Sequence, residues 1–68
     1  MRILELQAGE IADQKIGAKL EMLRLDASVS AREAAIVAGL TLQEYLDCEA
    51  GRRRAMTGEL LALSQLLN

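Results

Sequence analysis

The stretch from Ser30 to Arg54, SAREAAIVAGLTLQEYLDCEAGRRR, restricts this chain more than any other. Ser30 followed three residues later by Glu33 is a capping-box signature, in which each side chain satisfies a backbone N–H left free at a helix start. Ala34, Ala35 and Ala38 favour helix and are small enough to let another helix cross closely. Gly39 supplies the positive φ that ends this helix, and Leu40 turns inward. Thr41 caps a second helix over roughly residues 42–50, which Gly51 stops. Two helices of about two turns, joined by a short turn containing glycine, predict a helix-turn-helix over about residues 30–50.

The flanks supply two more helices. Ile16, Leu20 and Leu23 recur at i, i+4 and i+7, which predicts a helix over about residues 11–25. Gly17 weakens that helix by roughly 1 kcal/mol against alanine and permits a close contact with a neighbour. Val29, just before the Ser30 cap, is placed to act as a hydrophobic staple. A last helix runs from near Thr57 to Leu67, with Leu60, Leu63 and Leu67 in one stripe and Leu61 and Leu66 widening it. Asn68 stands where a helix stop belongs. Residues 1–10 hold Met1, Ile3, Leu4 and Leu6 without a clean period; they could extend the first helix, form a short arm on the domain or contact a partner, and an N-terminal arm ahead of a domain over 11–68 is the preferred reading.

Composition narrows the options further. Sixty-eight residues make one small domain, close to the lower limit for folding without staples. One cysteine excludes an internal disulfide, and with no histidine no zinc ligand set is expected. The core must then be aliphatic, and with no proline the expectation is an all-α bundle of four or five short helices. No apolar run approaches a membrane span, and Glu5 and Glu10 spoil a signal peptide, so no membrane association and a cytoplasmic location are expected. No enzyme and no cofactor are expected, because Cys48 has no histidine base and no phosphate loop is present. The net charge of −2 counts mildly against nucleic acid, but Arg52, Arg53 and Arg54 form a local basic run.

The whole series resembles the lambda-repressor/Cro-like (XRE) helix-turn-helix family over residues 15–67. The match comprises Leu23-Arg24, Ser30-x-x-Glu33, Ala35, Gly39-Leu40, Glu49-x-Gly51, the basic residues after it, and Glu59-Leu60-Leu61-x-Leu63. The resemblance implies a structural ion pair between Arg24 and Glu49. It also implies a DNA-binding domain of a transcriptional regulator, prokaryotic or phage-encoded and nucleoid-associated, acting on double-stranded DNA as a homodimer or within a longer oligomeric protein. Counted along the chain, the helix over about residues 42–50 is helix 3 and the one that Ser30 caps and Gly39 ends is helix 2; helix 3 would lie in the major groove. The implied DNA-facing residues are Arg32 on helix 2 and Thr41, Leu42, Gln43, Glu44 and Asp47 around helix 3. Gln43 suits adenine and Leu42 a thymine methyl. Thr41, Arg32 and Arg52, Arg53 and Arg54 suit phosphates. Tyr45 and Cys48 fall at inward positions.

The chain also departs from that pattern. Glu44 and Asp47 place carboxylates on the reading helix, where phosphates repel them. Ile36, Val37 and Leu46 stand at positions that are usually polar in the family. The simpler expectation is that helix 2 rotates to bury Ile36 or Val37 in space left by the alanines. The alternative is an aliphatic patch for a protein partner in transcription or another copy. That defines a second function, a protein-interaction module on the same fold. Exposure of Ile36, Val37 and Leu46 together discriminates in its favour.

Overall fold

The computed structural model describes the backbone from Arg2 to Leu67 and, beyond the backbone, the surroundings of residues 9 and 11–67. Asn68, the expected helix stop, lies outside the described residues, as do Met1 and the side chains of Ile3, Leu4 and Leu6. The described residues form four helices: α1 (Arg2–Asp26), α2 (Ala31–Ala38), α3 (Leu42–Glu49) and α4 (Thr57–Leu67).

The backbone from Arg2 onward continues α1 for 25 residues, so the stretch preferred as an arm takes the helix-extending alternative in its backbone. The physical reason lies in the local sequence: residues 2–8 are mostly good helix formers, and one internal glycine at position 9 weakens a helix without ending it. At about 1.5 Å per residue, α1 spans nearly the whole 40 Å long axis of the molecule.

α2 and α3 start in the same way. The Glu33 N–H donates to Ser30 Oγ at 3.0 Å and the Ser30 N–H to Glu33 Oε1 at 3.3 Å. The Glu44 N–H donates to Thr41 Oγ1 at 3.1 Å and the Thr41 N–H to Glu44 Oε1 at 2.9 Å. Each helix therefore begins with a complete capping box. At the end of α2, Gly39 is left-handed with φ 74°, and the Leu40 N–H reaches back to the Ala35 carbonyl at 2.9 Å. The connection Gly39-Leu40-Thr41 is thus fixed at both ends by hydrogen bonds.

The core is small and aliphatic apart from one ring. Leu20, Ala34, Ala35, Tyr45 and Leu63 form it, with Val29, Leu40, Leu60 and Leu66 packed around them. α2 packs on both α3 and α4, and α1 packs on α3. The α1–α3 contact depends on Gly17. A Cβ there would clash with the backbone carbonyl oxygens of Cys48 and Glu49 and lie 2.7 Å from the Glu49 carbonyl carbon. Gly51 is constrained twice, by φ 78° and by the backbone of Gln14, whose Cα would lie 2.7 Å from an added Cβ. These two glycines seat α3 and the turn after it against α1.

Candidate functional site

The expected site residues divide between the inner and outer sides of α3. On the inner side, Arg24 near the end of α1 meets Glu49 at the end of α3. Arg24 Nε donates to Glu49 Oε2 at 2.6 Å and Nη2 to Oε1 at 3.2 Å, while Nη1 donates to the Val29 carbonyl at 3.1 Å. Both side chains are largely buried, 11% and 6% exposed. This fork-on-fork geometry uses the planar guanidinium fully and ties α1 to α3 and to the loop before α2. The hydrogen bond to Glu49 raises the Arg24 pKa despite burial, so this charge persists at any accessible pH. Tyr45 is fully buried beside the pair. Burial first, and then the Glu49 carboxylate, pushes its phenol well above the usual range. Its hydroxyl has no hydrogen-bond partner of good geometry. Tyr45 and Cys48 are core residues, as their inward positions suggested.

On the outer side, polar residues are linked in a row along α3. Gln43 Nε2 donates to Asp47 Oδ1 at 3.0 Å, an i,i+4 contact. Arg52 Nη2 approaches the same oxygen at 3.2 Å. Thr41 and Glu44 are occupied by their capping box, and bonding to the Thr41 backbone and hydroxyl lowers the Glu44 pKa. The carboxylate that looked out of place on a reading helix therefore has a local structural task. Leu42 is half-buried, and Gln43 and Arg32 are exposed.

The arginine run does not form a free basic patch. Arg52 pairs with Asp47, Arg53 with Glu59 and Arg54 with Asp13. The three pairs differ in kind. Arg53 grips Glu59 through its two terminal nitrogens, Nη1 at 2.8 Å and Nη2 at 3.0 Å, and Nη1 also donates to Cys48 Sγ at 3.2 Å. Glu59 in turn accepts from the Met56 N–H at 2.9 Å, at the start of α4. The Arg53 bond, followed by that backbone bond, lowers the Glu59 pKa. Arg53 thus joins α3 to α4. Arg52 and Arg54 are well exposed and hold their carboxylates at 3.2 Å. Exposed pairs of this type contribute about 0–1 kcal/mol and exchange partners readily.

The aliphatic residues on α2 and α3 overturn one expectation. Ile36 is 73% exposed, Val37 42% and Leu46 36%, so α2 has not rotated to bury either of its two. Ala34 and Ala35 are themselves buried against the neighbouring helices. Their small side chains bring α2 close, so no vacant space is left for Ile36 or Val37 to fill.

Sequence reasoning missed the groove between α1 and α4, described below, and the Arg53–Glu59–Met56 connection. The second had a signal: Glu59 stands three residues after Met56, the same spacing as in the two capping boxes. Among the described residues no group of three His, Cys, Asp or Glu side chains is placed to hold a metal. No described helix is long and apolar enough to cross a membrane. No family model, curated protein or solved structure matches the chain.

Proposed function

We propose that the α2–α3 pair is a double-stranded DNA-reading unit, with the first turns of α3 entering the major groove. The observation that carries this reading is the contrast across α3. Its inner side is fixed to α1 by the Gly17 contact and the Arg24–Glu49 fork, while Gln43 and Arg52 face solvent beside it. A reading helix needs that combination, because base contacts depend on a position held rigidly from behind.

The chemistry follows from the outer row. A carboxamide carries two N–H donors and one acceptor, so Gln43 can hold Asp47 with one hydrogen and still present Oε1 and the other to adenine. Arg52, close to Asp47, screens that carboxylate from the DNA backbone. Arg32, Arg52 and Arg54 are the residues for phosphates, whereas Arg53 is committed to Glu59. Three phosphate contacts give a log–log salt slope of about −2.7 per copy, which is modest affinity. A dimeric arrangement would double it and supply two reading helices.

One observation favours a second reading, a protein-interaction module. Ile36, Val37 and Leu46 are exposed on the same two helices, and such side chains suit a protein surface better than a phosphate backbone. Amide NMR titration with a short duplex of mixed sequence at low salt separates the two. The DNA reading expects shifts at residues 41–47 and at Arg32 and Arg52 that fade as salt is raised. Absence of shifts there at low salt would reject it in favour of a protein partner on α2–α3.

A further inference from the structure

An open apolar groove of about 420 Å³ runs between α1 and α4. Ile16, Leu20 and Leu23 form one wall, and Leu60, Leu63 and Leu67 the other. Each wall covers eight residues of helix, a rise of about 10.5 Å from first to last. That is the length over which an amphipathic helix presents anchors at i, i+3 or i+4, and i+7. Lys15 and Lys19 flank the groove and are the only lysines in the chain. Among the described residues neither is in an ion pair, whereas Arg24, Arg52, Arg53 and Arg54 all are. Among the described residues no carboxylate lines the groove. In a protein of net charge −2, two cations that pair with no carboxylate among the described residues thus stand beside its apolar groove.

We infer that the α1–α4 groove, flanked by Lys15 and Lys19, is a docking site for an acidic amphipathic helix of a partner protein. The apolar face of that helix enters between the leucines, and glutamates or aspartates along its flank meet the two lysines. The groove is too open to bury most of a small ligand as a closed pocket does, and its single-sign edge selects the partner by charge. The groove shares no lining residue with the outer α2–α3 face, so its occupancy is independent of DNA binding there.

The test uses two synthetic helical peptides of about fifteen residues with the same leucine anchors at i, i+3, i+4 and i+7. One has glutamates on its flanks and the other lysines. The expected result is at least about tenfold tighter binding of the glutamate peptide at low salt, about 1.4 kcal/mol, with amide shifts confined to α1 and α4. Replacing Lys15→Glu and Lys19→Glu together should reverse the preference. Both side chains are exposed, so the fold survives the change, as circular dichroism would verify. Equal binding of both peptides, binding of neither at millimolar concentration, or shifts centred on α2–α3 would overturn the inference. So would sedimentation showing a self-associated protein whose groove is closed to either peptide.

Discussion

Arg24–Glu49 and Arg52–Asp47 are both arginine–carboxylate pairs anchored on α3, two residues apart at their acidic ends, and they do opposite things. The first is 11% and 6% exposed, bidentate, and supported by the Val29 carbonyl. The second is 68% and 31% exposed, with its carboxylate shared with Gln43. Burial makes the difference. Removing one partner of a desolvated pair leaves the other charge stranded, whereas water replaces either member of an exposed pair at little cost. One side of α3 is architecture, and the other is a surface whose contacts can be exchanged for those of a ligand.

Glu49→Ala should have the largest effect. It strands Arg24 and should cost about 3–5 kcal/mol in urea denaturation, most of the stability of a domain this small. Replacing both partners, Arg24→Met with Glu49→Leu, should cost less than Glu49→Ala alone, because no buried charge is left unpaired. A double variant as unstable as the single one would mean that the pair acts through geometry other than its charges.

Gly17→Ala comes next. Alanine improves helix propensity, but its methyl meets the backbone of Cys48 and Glu49, which cannot rotate away. A net loss of about 1–3 kcal/mol is expected in the same assay. A gain in stability would show that α1 and α3 are not held as closely as described.

The pH dependence separates committed from exchangeable arginines. Glu59 has a pKa lowered from 4.5 by Arg53 and the Met56 N–H. Its contribution to stability is present above the unfolded-state value and is lost as pH falls through the lower folded-state value. Thermal unfolding followed from neutral to acid pH should therefore show a decline on the acid side of 4.5 that Glu59→Gln makes shallower. An unchanged slope in the variant would remove Arg53–Glu59 from the structural set and return Arg53 to the surface available for phosphates.

Arg52→Ala should have the smallest effect on stability, within about 0.5 kcal/mol, because its pair is exposed. Its effect should appear on DNA instead, as a salt slope shallower by about 0.9 for each copy bound. A stability loss comparable to that of Glu49→Ala would erase the contrast between the two sides of α3.

The local signals explain what could be foreseen. Ser30-x-x-Glu33 and the Gly39 stop carried their own geometry, and the bounds of α2 and α4 followed from them and from the leucine stripe. Thr41-x-x-Glu44 is the same signature as Ser30-x-x-Glu33. Judged by charge alone, Glu44 looked like an obstacle to DNA, but its spacing already pointed to a cap. The arginine partners were less legible, because Asp13 and Arg54 are far apart in sequence and meet only when α1 lies along the turn after α3. The extension of α1 through residues 2–10 was obscured by an irregular apolar pattern, although hydrogen bonding along a helix needs no such pattern to continue. The exposure of Ile36 and Val37 depended on how closely two alanines bring α2 to its neighbours, a distance that composition does not encode.

The most direct test of the outer face of α3 as a reading surface is selection from a random double-stranded DNA pool. A tandem fusion of two copies compensates for weak single-copy binding, and Gln43→Ala in both copies provides the comparison. The account predicts an enriched motif for the native fusion that Gln43→Ala loses or relaxes at the position Gln43 reads. Recovery of DNA without enrichment by the native fusion, or the same motif from both fusions, would contradict it.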